Sequence, residues 1–509
     1  MNPTVHFDKQ VEDAPSFFDK VSRAAAALAA CGVGPGDVVA IMLRNEPVLL
    51  EMVLAARWIG ARWCMINWHF KADEVRYILT DSAATVLVVH TDLLAAVGAG
   101  VPDAVQVFVA PPAAATRRAF QLGDDAGHAA AGRQTWEAYR DAEARPAALQ
   151  QAPGSAMLYT SGTSGVPKGI LREPATPEQI QTSLQMGRIA LGIEPGMRAL
   201  ISAPLYHAAP MSYLLQAALN DAQLWIEPRF DAEQTLRLIA SQRITHLYLV
   251  ATMFVRLLAL APEVRARYEL GSVKFVASTG SPCPREVKLR MIEWWGPVIH
   301  EAYAASELGY ITHIDSEESL RKPGSAGRVI EGATLEVLSE AGDELPTGSV
   351  GLLYARHLAT PDFTYSHNDE ARRKMECRGL WTLGDMGYLD EDGYLFIVDR
   401  RSDMVISGGV NIYPAEIEAA LITMPGVADC AVFGIPDDEF GEALLAAVQL
   451  TEGAALTAEQ VRAYLRERIA GYKVPRQVSF HAQLPREDTG KIFKRRLRDP
   501  YWAHLKRRV

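Results

Sequence analysis

Cysteine is scarce in this chain of 509 residues, and it is not spaced for a metal site or a disulfide framework. The five cysteines are scattered, odd in number and include no Cys-x-x-Cys pair: Cys31, Cys64, Cys283, Cys377 and Cys430. The twelve histidines show no His-Glu-x-x-His spacing either. We therefore expect no structural zinc, and we expect the chain in a reducing cytoplasm.

The chain also lacks an excess of positive charge and any long, unbroken hydrophobic run. It carries 51 Lys and Arg against 61 Asp and Glu, a formal net charge of −10, which argues against a dedicated nucleic-acid binder. The most apolar early run, residues 48–68, is interrupted by Glu51, Arg57 and Arg62, so we predict buried helix and strand rather than a transmembrane segment. Residues 1–10 show no basic stretch followed by an apolar core, so no secretory signal is expected.

The chain is long enough for at least two domains, because single hydrophobic cores rarely exceed roughly 250 to 300 residues. Its first 110 residues alternate between helical and extended patterns, and residues 199–277 do so again. This alternation predicts βαβ units and largely parallel, doubly wound sheets. Residues 111–153, rich in Ala, Gly and Pro, read as a loop-rich insertion whose role cannot be deduced.

The pattern changes towards the C-terminus. Dense turns separate short Val, Leu and Tyr-rich runs over residues 324–398, which favours antiparallel β structure. Short helical and extended segments follow residue 402 and predict an α+β unit. We therefore predict an N-terminal domain of residues 1–401 and a C-terminal domain of residues 402–509, the latter a comfortable size for one domain.

Hydroxyls, glycines and one lysine crowd together in residues 159–169, directly after an apolar run. Glycine lets backbone N–H groups approach an anion, while serine and threonine add donors and lysine adds charge, so this segment suits a polyphosphate. It is not a Walker A loop, because Pro167 replaces the second glycine of that motif and Gly169 replaces its hydroxyl. No Gly-x-Ser-x-Gly nucleophile elbow fits it either. A flexible surface loop is the alternative reading.

Further motifs follow this loop in a fixed order: residues 204–207 (PLYH), 278–282 (STGSP), 301–307 (EAYAASE), 381–385 (WTLGD), 399–418 and 489–491 (TGK). Together they resemble the adenylate-forming superfamily of acyl-CoA synthetases, adenylation domains and firefly-type luciferases. The resemblance covers nearly the whole chain. It implies an α/β fold with a large N-terminal domain of doubly wound sheets plus a β-barrel-like subdomain, and a small, mobile α+β C-terminal domain.

The resemblance also implies a nucleotide site. Tyr303 would stack on adenine, Ser306 would contact phosphate, Glu307 would bind Mg²⁺, and Asp385 and Arg400 would bind the ribose hydroxyls. The turn on the other side of the adenine would comprise Gly280, Ser281 and Pro282. The phosphate loop would contribute Thr160, Ser161, Gly162, Thr163, Ser164, Gly165 and Lys168.

Two half-reactions with different orientations of the C-terminal domain are implied as well. Lys491 would stabilise charge while the acyl-adenylate forms, and Gly408 and Gly409 would let a pantetheine arm pass close to the backbone. His207 would border the acyl pocket and gate it rather than transfer a proton. Ser402 departs from the usual aspartate or lysine at the hinge, so the pivot could shift to Asp403.

These features predict an ATP-dependent carboxylic acid:CoA ligase that uses ATP, Mg²⁺ and CoA and forms no complex with nucleic acid; a homodimer is possible. The acid should be a hydrophobic monoacid of the fatty, aromatic or bulky alicyclic and steroid-derived kind, because the candidate pocket residues are mostly apolar: Met211, Leu215, Val250, Met253, Ala304, Ala305 and Tyr310. Two alternatives stay open: delivery of the acyl group to a carrier protein or its oxidation, and a protein that binds a nucleotide or acyl-AMP without turnover.

Overall fold

A computed structural model describes residues 3–123, 126, 134–143, 154–160, 167–281, 283–408, 410–486 and 492–503. The chain divides into two compact units. The first comprises residues 1–323, 329–334 and 356–376, and the second comprises residues 324–328, 335–355 and 377–509. The predicted boundary between residues 401 and 402 stays a prediction.

The first unit contains a seven-stranded sheet, whose first five strands along the chain run parallel. The sixth and seventh strands join it antiparallel. Across the sheet the strands lie in the order Phe363–Tyr365, Lys168–Arg172, Ala156–Thr160, Arg62–Met65, Val38–Met42, Val86–His90 and Gln106–Ala110. Helices Pro47–Trp58, Ala72–Asp81 and Thr91–Val97 connect its parallel strands, so the predicted alternation of helix and strand is confirmed.

A second, largely parallel run of strands lies in the same unit. The pairing order is Gly309–Ile314, Ile299–Ala305, Phe275–Ser278, His246–Tyr248, Arg198–Ile201, Gln223–Ile226, Thr4–Phe7 and Gln10–Glu12. Only the first and last strands of this order pair antiparallel with their neighbours. The carboxyl ends of the parallel strands therefore meet at one edge, where open α/β sheets bind ligands.

Side chains of the central strand Val38–Met42 enter two different hydrophobic clusters. Val39 and Ile41 pack in the larger cluster, while Val38, Ala40 and Met42 pack in the smaller one on the opposite face. Alternate residues of a strand point to opposite faces, so this sheet is covered on both sides. This burial explains why the strand is apolar at every position.

Helix Pro177–Leu191 of the first unit is capped at both ends by residues that its own sequence supplies. Thr176 and Gln179 form a capping box at the start of Pro177–Leu191, and Gly192, with φ +67°, ends that helix. A side chain at Gly192 would also meet the Phe275 ring, because a Cβ there would lie 2.4 Å from it. The other helices are Ala14–Ala30, Ala114–Phe120, Trp136–Ala142, Ala208–Leu219, Ala232–Gln242, Ala251–Leu258, Pro262–Arg265, Arg285–Trp295, Ser316–Arg321 and Asp369–Met375, with a 3₁₀ turn at Gly98–Gly100.

The second unit combines antiparallel strands with three helices. The strands that lie wholly or partly in it are Gly327–Val329, Ala333–Leu338, Gly351–His357, Glu376–Cys377, Leu380–Trp381, Asp385–Leu389, Tyr394–Arg400, Val405–Ser407, Val410–Ile412, Val427–Asp437, Gly441–Leu450 and Gln477–His481. The helices are Pro414–Leu421, Ala458–Arg466 and Lys494–Trp502, with a 3₁₀ turn at Gly471–Lys473. Among the described strands of this unit, antiparallel pairing dominates as predicted, and Gln477–His481 pairs parallel with Gly441–Leu450.

The insertion at residues 111–153, which was predicted to be rich in loops, also contains two short helices. Helices Ala114–Phe120 and Trp136–Ala142 lie within it. The second helix is anchored by a buried carboxylate, Glu51, which accepts hydrogen bonds from Trp136 Nε1 at 3.1 Å and Arg140 Nη1 at 2.7 Å. Burial raises the pKa of Glu51 to about 7, and the Arg140 guanidinium opposes that rise.

No helix in the described part of the chain combines the length and the apolar character that crossing a membrane requires. The early apolar run instead forms helix Pro47–Trp58 and strand Arg62–Met65. The prediction of buried helix and strand there is confirmed.

Arg140→Met should destabilise the first unit by about 3–5 kcal/mol, because it leaves the Glu51 carboxylate buried and without its cation. Thermal unfolding followed by calorimetry measures the loss. Arg23→Met is the matched control, since Arg23 pairs with Asp19 at an exposed site and its loss should cost at most about 1 kcal/mol. Equal losses in the two variants would show that the buried pair does not anchor the insertion.

Candidate functional site

The phosphate loop connects two paired strands of the seven-stranded sheet. Ala156–Thr160 and Lys168–Arg172 pair antiparallel, and Thr160 lies opposite Lys168. Tyr77 and Tyr159 hold the chain on the two sides of the loop. The Tyr77 hydroxyl donates to the Pro167 carbonyl at 2.9 Å, and the Tyr159 hydroxyl donates to Asp81 at 2.7 Å. The loop residues Ser161, Gly162, Thr163, Ser164 and Gly165 lie outside the described residues, so their roles stay predictions.

Glu307 lies at the centre of a cluster of oxygen atoms. It is only 6% exposed, and its Oε1 accepts hydrogen bonds from the Tyr365 hydroxyl at 3.0 Å and from Thr160 Oγ1 at 3.2 Å. Burial raises the pKa of the Tyr365 hydroxyl, and the neighbouring Glu307 carboxylate adds to the rise. Tyr365 therefore remains a hydrogen-bond donor to Glu307.

Arg172 holds the backbone beside this carboxylate. Its Nη2 donates to the carbonyl oxygens of Ser306 and Glu307, the latter at 3.2 Å, and its Nη1 donates to the Pro361 carbonyl at 2.8 Å. Burial lowers the pKa of Arg172 to about 10, so the side chain stays protonated at neutral pH. The predicted phosphate contact Ser306 is thus fixed through its backbone.

The lysine of the phosphate loop belongs to the same cluster. Lys168 Nζ lies 5.1 Å from the centroid of the Tyr365 ring, a cation–π distance. The structure therefore brings Thr160, Lys168, Ser306 and Glu307 together, and it adds Tyr365 and Arg172, which the sequence did not indicate.

Hard oxygen donors such as those around Glu307 suit Mg²⁺, which favours one or two carboxylates together with substrate phosphates. Among the described residues there is no group of three or more His, Cys, Asp or Glu side chains that could hold a metal ion. A single enclosed carboxylate fits a Mg²⁺ ion that a bound nucleotide would bring with it.

Gly280 follows the strand Phe275–Ser278 of the second sheet, and Tyr303 lies within the neighbouring parallel strand Ile299–Ala305. Ser278 pairs with Glu301 in the register, so Gly280 and Tyr303 each lie two residues beyond that pair, at the same edge. Gly280 has φ +93°, a left-handed conformation that favours glycine. Ser281 adjoins it, whereas Pro282 lies outside the described residues. This placement is consistent with the predicted adenine site, which stays a prediction.

His207 lies at the start of helix Ala208–Leu219, beyond the carboxyl end of strand Arg198–Ile201. Its ring is half-buried and packs on Tyr206, with 4.3 Å between the ring centroids. Asn45 holds the turn that precedes it: its Nδ2 donates to the Ala203 carbonyl at 2.9 Å and its Oδ1 accepts from Leu205 N at 2.9 Å. Asn45 was missed because no sequence pattern links residues about 160 positions apart.

The apolar residues proposed for the acyl pocket share the core around this edge. Met211, Val250, Met253 and Tyr310 are buried in the larger hydrophobic cluster of the unit, and Leu215 and Ala304 pack against it. Ala305 is half-buried at the end of the strand Ile299–Ala305.

In the second unit, the two predicted ribose contacts meet each other. Asp385 and Arg400 lie opposite in the antiparallel pair Asp385–Leu389 and Tyr394–Arg400, and Arg400 Nε donates to Asp385 Oδ1 at 3.1 Å. Asp385 is only 7% exposed. Their joint role on a ribose stays a prediction.

Gly408, the first of the two glycines predicted for the pantetheine path, directly follows the strand Val405–Ser407, which pairs with Val410–Ile412. Gly408 has φ +58°, and its N–H donates to the Phe440 carbonyl at 2.9 Å. A Cβ at Gly408 would lie 2.9 Å from the Phe440 ring, so a side chain would not fit there without a shift. Gly409 and the predicted catalytic Lys491 lie outside the described residues.

Two family models match the chain: the AMP-binding enzyme family over residues 15–360, and the AMP-binding enzyme C-terminal domain over residues 416–491. Among curated relatives, a long-chain-fatty-acid–CoA ligase FadD13 of Mycobacterium tuberculosis is 31% identical, over 95% of this chain and 92% of that protein. A feruloyl-CoA synthase of Amycolatopsis is 31% identical over 94% and 92%, and an indoleacetate–CoA ligase of Aromatoleum aromaticum is 32% identical over 93% and 90%.

Solved structures agree over nearly the whole length. ATP-bound MatB from Rhodopseudomonas palustris is 26% identical with a TM-score of 0.83, and the match covers 99% of this chain and 96% of that one. An o-succinylbenzoate CoA synthetase from Bacillus subtilis, in complex with its acyl-adenylate intermediate, is 26% identical with a TM-score of 0.79, over 97% and 95%. The predicted α/β fold class, with a large N-terminal and a smaller C-terminal domain, is confirmed.

Tyr365→Phe should weaken the binding of Mg²⁺-ATP about tenfold, because a hydrogen bond to a charged acceptor contributes about 1.5–3 kcal/mol. The ring beside Lys168 is retained, so only the hydroxyl is lost, which binds Glu307 and also contacts Met375 Sδ at 3.3 Å. Isothermal titration calorimetry with ATP at fixed Mg²⁺ measures the affinity.

Tyr159→Phe is the control for this experiment. It also removes a buried hydroxyl from the same sheet, but that hydroxyl binds Asp81 and not Glu307. If the two variants bind Mg²⁺-ATP equally well, Tyr365 does not prepare Glu307 for the metal.

Proposed function

We propose that this chain, which belongs to the AMP-binding enzyme family, is an ATP-dependent carboxylic acid:CoA ligase that acts in two steps on a hydrophobic monoacid. It is an AMP-forming acid–thiol ligase, and its cofactors are ATP, Mg²⁺ and CoA. The single observation that carries the proposal is the enclosed Glu307 carboxylate, held by Thr160 and Tyr365 beside Lys168.

In the first step, a carboxylate oxygen of the acid attacks the α-phosphorus of ATP, and the bond from that phosphorus to the pyrophosphate oxygen breaks. In the second, the sulfur of CoA loses its proton and attacks the acyl carbon, and the bond from that carbon to the AMP oxygen breaks. The pyrophosphate and AMP leave as anions. The net reaction needs no oxidant or reductant.

The residues of this chain bind and orient the reactants. Lys168 and Thr160 adjoin the phosphate loop, which supports a role for them in binding the β- and γ-phosphates, and Glu307 would hold the metal ion. When it is bound, Mg²⁺ would neutralise part of the negative charge on the pyrophosphate. We assign Lys491 to charge stabilisation in the first step and Gly408 with Gly409 to the passage of the pantetheine arm in the second, with residues 402–509 changing orientation between the two.

The acid that we propose is fatty, aromatic, or bulky and alicyclic or steroid-derived. Met211, Val250, Met253 and Tyr310 support this choice, because they are buried apolar or aromatic side chains near the edge where His207 lies. The relatives named for long-chain fatty acids, ferulate and indoleacetate act on acids of this hydrophobic kind. A cytoplasmic location and a homodimer belong to the proposal as predictions.

The test is a measurement of pyrophosphate release with ATP and Mg²⁺ across a panel of acids, each with and without CoA. The panel extends from acetate through long-chain fatty acids, benzoates and cinnamates to steroid acids. We expect release that depends on a hydrophobic acid and is coupled to AMP and a CoA thioester.

Other outcomes separate the alternatives. Release without a thioester would indicate a carrier protein or another acceptor in place of CoA. No pyrophosphate release with any acid of the panel would contradict the proposal and favour a protein that binds a nucleotide or acyl-AMP without turnover.

A further inference from the structure

Lys494, three residues beyond Lys491 in the chain, forms an ion pair inside the second unit. Its Nζ lies 2.8 Å from Glu418 Oε1, and both side chains are only about a fifth exposed, at 22% and 21%. Burial opposes the charge on Lys494, but the Glu418 and Asp399 carboxylates outweigh it and raise the pKa of the ammonium. Burial also raises the pKa of the Glu418 carboxyl, and the Lys494 ammonium opposes that rise, so the two groups are coupled and partly shielded from solvent.

The two carboxylates near Lys494 are themselves fixed by backbone N–H groups. Glu418 Oε1 also accepts a hydrogen bond from Val432 N at 2.6 Å. Asp399 accepts one from Arg400 N at 2.7 Å and one from Ala415 N at 3.0 Å, in the first turn of helix Pro414–Leu421. Lys494 thus faces two carboxylates that backbone hydrogen bonds hold in place. One of them, Asp399, also joins this helix to the strand Tyr394–Arg400.

The helix that begins at Lys494 makes a second contact with the same region. Arg498 Nη1 donates to the Ser402 carbonyl at 3.1 Å, within the turn that follows Arg400. Before the helix, Arg486 and Ile492 form a β-bridge, and Phe493 N donates to the Pro485 carbonyl at 2.9 Å. The described chain on both sides of residues 487–491 is therefore held at fixed points.

We propose that Lys494 is a positioning residue for the first half-reaction: its ion pair with Glu418 fixes the chain directly after Lys491 to helix Pro414–Leu421. Lys494 itself touches no reactant. The inference rests on the proposed function, because it assigns Lys494 to the adenylation step and not to stability alone.

We expect the loss of this ion pair to slow adenylation, because charge stabilisation requires precise placement of the stabilising group. A group that stabilises a transition state must stand within a fraction of an ångström of its place, and a misplacement of about 1 Å can cost about 100-fold in rate. An unanchored chain after Lys491 would lose that precision. Attack of CoA on acyl-AMP that is already formed does not use Lys491 and should be spared.

The experiment measures the two half-reactions separately in the full-length enzyme. Pyrophosphate release reports adenylation of the best acid found in the panel, and thioester formation from supplied acyl-AMP of the same acid reports the second step. We expect Lys494→Met to slow adenylation about tenfold or more while the second step stays within about twofold of the wild type. Lys494→Arg should restore most of the adenylation rate, because it keeps the positive charge.

Glu418→Gln provides an independent variant, since it keeps an acceptor for Val432 N but removes the charge. Its loss of adenylation should match that of Lys494→Met, and the double variant should be no worse than either single one, as expected for two residues that act through one contact. Arg495→Met is the matched control. Arg495 lies in the same helix and is exposed, and its ion pair among the described residues is with Asp499 of that helix.

An equal fall in both half-reactions, or no fall in adenylation, would overturn the positioning role. A fall that Lys494→Arg does not relieve would overturn it as well. A wild-type enzyme that forms no acyl-AMP from any acid would instead contradict the proposed function on which the inference rests.

Discussion

The candidate site in the first unit depends on the hydrogen bonds that hold the Glu307 carboxylate. Glu307 follows a strand of one sheet, whereas the hydroxyls of Thr160 and Tyr365 that bind its carboxylate come from strands of the other. Arg172, also from that other sheet, binds the carbonyl oxygens of Ser306 and Glu307. A buried carboxylate without such partners would be costly, so these contacts both connect the two sheets and fix Glu307, the proposed metal ligand.

Buried charges serve the same purpose elsewhere in each unit. Glu51 with Arg140 anchors the helix Trp136–Ala142, and Glu418 with Lys494 anchors the last helix of the described chain. Each pair joins segments that are far apart in sequence, and each would leave a costly unpaired charge if one partner were removed. In both units a carboxylate thus helps to fix a short helix to a distant part of the same unit.

The sequence was sufficient for the features that depend on local pattern. The strand Val38–Met42 is apolar throughout because both of its faces are covered, and the capping residues Thr176 and Gln179 mark a helix start by their spacing. Thr160, Lys168 and Glu307 were identified through motifs that occur in a fixed order along the chain. The structure brings these three together.

Features that depend on distant contacts were not predictable. Tyr365 and Arg172 lie 58 and 135 positions from Glu307, and no periodicity connects them to it. The helix Trp136–Ala142 was not predicted because its seven residues show too short an apolar pattern, and it is held by distant residues such as Glu51, 85 positions before Trp136. Such contacts follow from the register of the sheets, which a single sequence does not specify.

The most direct test of the central claim follows the oxygen atoms of the acid. The enzyme is incubated with ATP, Mg²⁺, CoA and an acid labelled with ¹⁸O in both carboxylate positions, and the products are analysed by mass spectrometry. Activation through an acyl-adenylate predicts one ¹⁸O atom in each AMP, because the carboxylate oxygen that attacks phosphorus stays with AMP when the thioester forms. AMP without label, or label in inorganic phosphate instead, would contradict the account.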